Sequence, residues 1–305
     1  MRPSYSTTVK PVSEKLEFTG ERFTPECPRE ISYEHFHRYA LAAGFCKGSS
    51  VLDAACGEGY GASLLAKVAT HVVGMDIAHE AIEHASARYG ERERLRFQQG
   101  DVTRLPFEDD SFDRVVSFET LEHMEPQEAL LSEFRRVLKP DGMLLLSCPD
   151  KAVYTDQLGN ENEFHVRELY RDELDALIAR EFPACRLLGQ KLMFHSAIWQ
   201  EGEPSRVTVQ TQAKEGNILQ GPLTGAPVYL IALCAAREEL LPDLQGRLWL
   251  FGDEEESVYR HYYHEIRKNM AAGELLAARD AEIEQLKRQL SDRRTRGWRR
   301  WFRRG

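Results

Sequence analysis

Cysteine is sparse in this 305-residue chain, and the six that occur, at positions 27, 46, 56, 148, 185 and 234, never stand in a C-x-x-C pair. That scatter argues against a structural zinc site and a disulfide framework, and for a reducing compartment. Long apolar runs are missing too. The longest, residues 143–146 and 229–236, have the length of β-strands and cannot span a bilayer. Residues 1–18 are polar and lack the apolar core of a secretory leader, so a cytoplasmic location is expected. No internal repeat is present.

What is there suits a folded domain. Apolar residues make up 42% and charged residues 29%, enough for a sizeable core and too apolar for a disordered or fibrous chain. The net charge of −9 is unevenly spread, with +7 on residues 293–305 and −16 on the rest. An acidic body repels polyanions, so nucleic acid is not an expected partner of the main domain.

From about residue 50, short apolar runs alternate with helix-like stretches. Residues 50–55, 71–76, 95–99, 112–118 and 143–148 read as strands. Helices are expected after the first strand, over 78–89, and over 127–138, where Leu130, Leu131, Phe134, Val137 and Leu138 share a face. Lys139-Pro140-Asp141-Gly142 is a turn signal. A helix over 171–180 and strands at 184–192 and 228–234 complete the pattern, with a polar insertion loop over 196–227. This alternation predicts an α/β, doubly wound, mostly parallel sheet.

The stretch Val51-Leu52-Asp53-Ala54-Ala55-Cys56-Gly57-Glu58-Gly59-Tyr60-Gly61 joins the first strand to its helix. Its glycines permit a sharp turn and close approach to a ligand, which dinucleotide sites also require. Three acids separate the possibilities. Asp53, at the strand end, suits an ammonium better than a pyrophosphate. Asp76 ends the second strand, where it can accept from two ribose hydroxyls. Asp101 follows the third strand, where it can accept from an adenine amino group. Together they describe a nucleoside carrying an amino acid.

This combination, with the phrase Leu138-Lys139-Pro140-Asp141-Gly142-Met143-Leu144, resembles the class I S-adenosylmethionine-dependent methyltransferases over residues 45–150. The resemblance implies a seven-stranded Rossmann-like sheet with S-adenosylmethionine at its C-terminal edge. It implies cofactor contacts from Asp53, Ala55, Gly57, Gly59, Asp76, Ile77, Asp101, Val102 and Phe118. The competing readings are an NAD-binding domain and an inactive methyltransferase fold.

After the fourth strand comes Phe118-Glu119-Thr120-Leu121-Glu122-His123. One helical turn here would put Glu119, Glu122 and His123 on one face, half of a site for a divalent metal. Glu163-Phe164-His165, after the fifth strand, would reach the same edge. The arrangement resembles two metal-dependent methyltransferase groups, acting on the terminal ribose of small RNAs and on quinone precursors. The resemblance implies Glu119, Glu122, His123 and His165 as ligands of Mg²⁺ or Mn²⁺, holding a hydroxyl for methylation. Without a metal, His123 or His165 is the expected general base. A pocket-shaping or structural role for these histidines is the plainer alternative.

The opening Phe18-Thr19-Gly20-Glu21-Arg22-Phe23-Thr24-Pro25, then Tyr33-Glu34-His35-Phe36-His37-Arg38-Tyr39-Ala40, and the later Phe164-His165-Val166-Arg167-Glu168-Leu169 resemble bacterial methyltransferases of surface-polysaccharide clusters. Those relatives usually carry proline where this chain has Glu163. The resemblance implies a sugar hydroxyl acceptor on a nucleotide sugar or O-antigen-like glycan. It also implies an N-terminal lid over 1–45, with Arg22 on the cofactor carboxylate and Tyr33, His37 or Arg38 lining the pocket. Packing of a helix across the sheet is the simpler account of Tyr33 and Tyr39.

The methyltransferase domain is then expected over 46–236 and a helical extension over 237–270. A short coiled coil over 271–292, with Leu276, Ile283, Leu286 and Leu290 on its seam, suggests a homo-oligomer or a polysaccharide-assembly partner. In the last segment, 293–305, Trp298, Trp301 and Phe302 fall on one helical face among seven arginines. That pattern suits an anionic inner-membrane surface, with a nucleic-acid arm or a solubilising end as alternatives. The combined expectation is a peripheral membrane O-methyltransferase of a surface sugar, with chain termination as one role it could serve, and with methylation of a quinone or small diol, RNA ribose methylation, and an inactive scaffold as competitors.

Overall fold

Runs of Val, Leu and Ile too short for helices pair as parallel strands, and the amphipathic stretches between them become the crossovers that parallel pairing needs. The computed structural model describes residues 23–25, 30–90, 94–198, 207–212, 217–223 and 225–301, with side chains as far as Leu290. Its elements are α1 (Glu30–Phe45), β1 (Ser50–Ala54), α2 (Tyr60–Leu65), β2 (His71–Asp76), α3 (His79–Tyr89), β3 (Leu95–Gln99), β4 (Phe112–Phe118), α4 (Gln127–Val137), β5 (Leu138–Pro149), α5 (Lys151–Tyr154), α6 (Arg171–Ile178), β6 (Ala184–Gln190), β7 (Gln210–Gln212), β8 (Ile218–Gln220), β9 (Tyr229–Ala235) and α7 (Ser257–Trp301).

Seven strands form one sheet in the order β3-β2-β1-β4-β5-β9-β6. β1 to β5 run parallel, and β9 lies antiparallel between β5 and β6. This is the Rossmann-like methyltransferase fold expected from the sequence. Each face of the sheet has its own core. Leu130, Leu131 and Phe134 of α4 and Leu174 and Leu177 of α6 cover one face. Tyr39, Leu41 and Ala42 of α1 and Leu65 of α2 cover the other.

Some boundaries differ from the sequence pattern. Lys139–Gly142 lies inside β5, yet the pairing jumps from Phe112↔Leu138 to Arg114↔Met143, so these four residues bulge out of the ladder. The polar insertion over 196–227 is not wholly loop: its described residues include the antiparallel ribbon β7–β8. The extension over 237–270, expected to be helical in part, has one 3-10 turn, Glu238–Leu240, and then the start of α7 at Ser257. The chain divides after Phe251 into two units. In the second, α7 is continuous from Ser257 to Trp301, across the boundary expected at 271. Leu276, Ile283, Leu286 and Leu290 on it are all exposed. Arg22 and Phe302 lie outside the described residues, as do the side chains of Trp298 and Trp301.

Candidate active site

Three strand tips build one side of the site. Because β3, β2 and β1 are neighbours, Asp101, Asp76 and Asp53 come to one edge of the sheet. The loop after β1 turns through left-handed backbone at Ala55 (φ 59°), Gly57 (φ 52°) and Gly59 (φ 91°). A Cβ on Gly59 would stand 2.7 Å from Ala85 and 2.9 Å from the Phe97 ring, so close packing as well as conformation requires glycine.

Asp76 is buried, and each of its carboxylate oxygens accepts one N–H. Its Oδ2 accepts from the Gly57 N–H at 2.9 Å, and its Oδ1 from the Ala78 N–H at 2.9 Å. Asp101 is exposed, and its Oδ1 accepts from the Thr103 N–H at 2.8 Å and the Thr103 hydroxyl at 2.7 Å. Beside them Ile77 is exposed, while Val102 and Phe118 are buried. Asp53 is wholly buried. Its Oδ1 accepts from the Tyr39 hydroxyl at 3.0 Å, and its Oδ2 has no partner. Burial lifts this carboxyl to about 7.

Sequence reasoning passed over Glu58. It is buried between the loop glycines and accepts from His84 (2.9 Å), Arg88 (2.8 Å) and the Tyr89 hydroxyl (3.0 Å). The signal was available: His84 and Arg88 stand at i and i+4 on α3. Tyr39, read as a packing residue, does pack on the sheet, but its hydroxyl also anchors Asp53.

The turn after β4 builds the other side. The helical turn covers only Leu121–His123, and Glu119 precedes it in left-handed backbone at φ 52°. Glu119 therefore does not share the face of Glu122 and His123. Its carboxylate accepts from the Ser147 hydroxyl at 2.6 Å and lies 3.8 Å from Arg38. Backbone bonds stitch this turn to the loop after β5. The Glu122 carbonyl accepts from the Val166 N–H (2.8 Å) and the Arg167 N–H (3.0 Å).

One ligand atom each from Glu122, His123 and His165 lies within 4.8 Å of the others. Glu122 is buried, and neither carboxylate oxygen has a hydrogen bond. Burial, reinforced by the negative charge of Glu119, pushes its carboxyl well above the usual range. His123 Nδ1 lies 2.9 Å from the Phe164 carbonyl. A carbonyl only accepts, so the neutral ring carries its proton on Nδ1 and its lone pair on Nε2, 3.9 Å from Glu122 Oε1. His165 Nδ1 faces Glu168 Oε1 at 2.5 Å, and its Nε2 faces the Asn162 amide nitrogen at 3.0 Å. Asn162 Oδ1 accepts from the Phe164 N–H at 3.0 Å, which fixes the amide so that it donates to His165. The two imidazoles meet edge to face at 4.9 Å. Glu122 and His123 Nε2 offer donor atoms suited to a divalent cation, and His165 Nε2 becomes a third donor once it gives up the Asn162 amide. Beyond His165 opens a cleft of about 660 Å³ lined by Lys151, Thr155, Asn160, Asn162, Arg167 and other mostly polar residues.

Residues 52–146 match the family model of the methyltransferase domain. The matched stretch runs from β1 into β5 and includes the glycine loop, Asp53, Asp76 and Asp101. A probable S-adenosylmethionine-dependent methyltransferase of Mycolicibacterium smegmatis is 39% identical over 166 residues, covering 53% of this chain and 63% of that protein. One of Mycobacterium tuberculosis is 37% identical over 179 residues, 58% of this chain and 63% of its own length. A sterol 24-C-methyltransferase of Gibberella zeae is 40% identical over 114 residues, 36% of this chain and 30% of that protein. The chain thus spans less than two thirds of the curated relatives it matches.

Proposed function

We propose that this chain transfers the methyl group of S-adenosylmethionine to a hydroxyl, and that the hydroxyl belongs to a sugar of a bacterial surface glycan or its nucleotide-sugar precursor. The observation that carries it is the buried Glu122 carboxylate, unpartnered on both oxygens and set beside His123 and His165 at the sheet edge of the cofactor crevice. A chain does not leave such a group without a role at low cost.

The residues fit the cofactor. Each bonded oxygen of Asp76 accepts one N–H and keeps a second lone pair for ribose, Asp101 Oδ2 takes no part in the bonds to Thr103 and can take the adenine amino group, and the second oxygen of Asp53 suits an ammonium. When bound, S-adenosylmethionine supplies an electrophilic methyl on sulfur. Glu122 and His123 Nε2 also fit a divalent cation, Mg²⁺ or Mn²⁺, which His165 would join by exchanging the Asn162 amide for the ion, with Glu119 close by. When bound, such an ion lowers the pKa of a coordinated hydroxyl. His123 Nε2 is the protein group placed to accept the hydroxyl proton, because Nδ1 is committed to Phe164. Glu168 orients His165 in the same way. The cleft beyond favours a polyhydroxylated acceptor over a sterol, since its lining is polar or charged at every residue but Val166, with Glu161, Glu163 and Glu168 beside the amide, hydroxyl and cationic groups.

In this reading methylation caps a growing glycan. The C-terminal arginines and aromatics hold the enzyme to the anionic inner membrane, and the exposed stripe on α7 pairs with a second copy or an assembly partner. Among the described residues no helix is long and apolar enough to cross a membrane.

The test has three arms. Calorimetry with S-adenosylhomocysteine should show binding, and its absence would favour an inactive scaffold. Chelation followed by Mg²⁺ or Mn²⁺ should abolish and restore methyl transfer. Activity that survives chelation removes the metal and leaves His123 as base. Mass spectrometry of glycans from cells with and without the gene should show a missing 14-Da increment.

A further inference from the structure

Arg38, in α1, is 1% exposed and is among the largest fully buried side chains. Its Nη1 donates to Gln190 Oε1 at 2.8 Å. Gln190 is held in turn by donating to the Glu34 carbonyl at 2.9 Å. Glu119 Oε1 stands 3.8 Å from Nη1, too far for a hydrogen bond. The Tyr229 ring covers the guanidinium at 4.9 Å. Nε and Nη2 have no partner. These two nitrogens lie on the same edge of the guanidinium plane. Their N–H groups form the side-on fork that takes both oxygens of one carboxylate. A buried cation with that fork unpaired is costly, and native structures rarely keep one without a ligand to complete it.

The position narrows the ligand. Tyr39, the next residue, donates to Asp53, and Tyr60, at the start of α2, adjoins Arg38 electrostatically. The fork therefore sits between the cofactor loop and the turn after β4. Asp53 carries one unpartnered carboxyl oxygen, and Arg38 carries unpartnered cationic donors. The ammonium and carboxylate of a single amino acid would satisfy both. We infer that Arg38 is a carboxylate-binding residue, and that the carboxylate is that of the amino-acid end of the cofactor. The inference rests on the proposed cofactor and deepens it. Glu34 and Glu119 flank the fork; burial raises Glu34 to about 7, so its repulsion of a bound carboxylate near neutrality is reduced. Arg22, the residue the sequence offers for this role, lies outside the described residues.

Calorimetry on the full chain compares S-adenosylmethionine with its decarboxylated form, which keeps the ammonium and lacks only the carboxylate. Wild-type protein should prefer the intact cofactor by about 10- to 100-fold. R38M should bind the two equally, and R38K should narrow the ratio to a few-fold, because a point charge replaces a fork. Circular dichroism checks folding, and if R38M fails it, R38K and the wild type decide. Glucuronate, titrated into protein loaded with S-adenosylhomocysteine, probes the other source of a carboxylate, an acidic acceptor. Loss of glucuronate binding in R38K, with cofactor discrimination intact, would keep the carboxylate site but overturn its assignment to the cofactor. Unchanged binding of all three probes in R38K would overturn the inference. A wild-type protein that binds neither nucleoside would sink the proposed function and this inference together, which separates that outcome from a failure of Arg38 alone.

Discussion

At the tip of β2 the buried Asp76 has both carboxylate oxygens engaged by N–H groups of its own chain. After β4, a few strands along the same edge, the buried Glu122 has neither. The two acids are similarly withdrawn from water, at 6% and 1% exposure, so burial does not explain the difference. What differs is when the charge is compensated. Asp76 fixes the glycine loop before any ligand arrives, and a ligand adds to a finished structure. Glu122 keeps a carboxylate that only a cation or a proton from outside can neutralise. The nucleoside half of the edge is preorganised, and the acceptor half holds an unmet demand.

Substitution at these two acids should produce the largest effects. Glu122→Met removes a buried carboxyl that makes no hydrogen bond. It should cut methyl transfer by at least about 1000-fold, while raising the stability of the chelated protein by about 1–3 kcal/mol. Asp76→Val should do the opposite to stability. It strands the Gly57 and Ala78 N–H groups and should cost about 2–4 kcal/mol. Thermal denaturation in EDTA, with a radiometric transfer assay, reads both. A Glu122→Met protein that melts lower than wild type would break the contrast.

The nucleoside half was the more legible in the sequence for a related reason. Asp53, Asp76 and Asp101 each end or follow an apolar run, so strand periodicity alone brings them to one edge once the strands are parallel. The strand spans 71–76, 95–99 and 112–118 coincide with β2, β3 and β4. The acceptor half depends on backbone that periodicity does not encode. Glu119 adopts a left-handed conformation that swings it toward Ser147 and Arg38. The bonds from Val166 and Arg167 to the Glu122 carbonyl join segments more than forty residues apart. Asn162 and Glu168 orient His165 through contacts that only the folded loop creates.

Glycine replacements sharpen the comparison at a smaller scale. A Cβ on Gly61 would lie 2.0 Å from the Tyr39 ring. That ring cannot easily yield, since its hydroxyl is bonded to Asp53 and it packs between Tyr60 (5.2 Å) and Phe118 (5.1 Å). Gly61→Ala should therefore cost about 3 kcal/mol and weaken S-adenosylhomocysteine binding. Gly159, in the loop after α5, has a left-handed φ of 68° but nothing within 4 Å of its Cβ position. Gly159→Ala should cost only the backbone strain, about 1 kcal/mol. Denaturant titration of both variants gives the ranking, and equal costs would mean that the two halves are packed alike.

The smallest effect tests how far the preorganised half is finished. Asp53 Oδ2 is its one unpartnered buried oxygen among the described residues. Tyr39, Tyr60, Cys46, Cys56 and Asp76 face this carboxyl, and the hydroxyls and thiols among them are all pushed upward, so they stay neutral below pH 8. The folded carboxyl holds its proton up to about 7, whereas in the unfolded chain it releases it near pH 4. Between those values the folded state binds more protons, so stability falls as pH rises. Ligand-free protein should lose about 2 kcal/mol from this group between pH 5 and pH 7, at roughly 1.4 kcal/mol per unit of pH below the folded pKa. Asp53→Asn keeps an acceptor for the Tyr39 hydroxyl and removes the titration. Its melting temperature should match wild type at pH 5 and exceed it at pH 7, once the shared pH dependence is subtracted. Parallel curves for the two proteins would mean that Asp53 is already charged without a ligand, and that the nucleoside half needs no incoming ammonium to complete it.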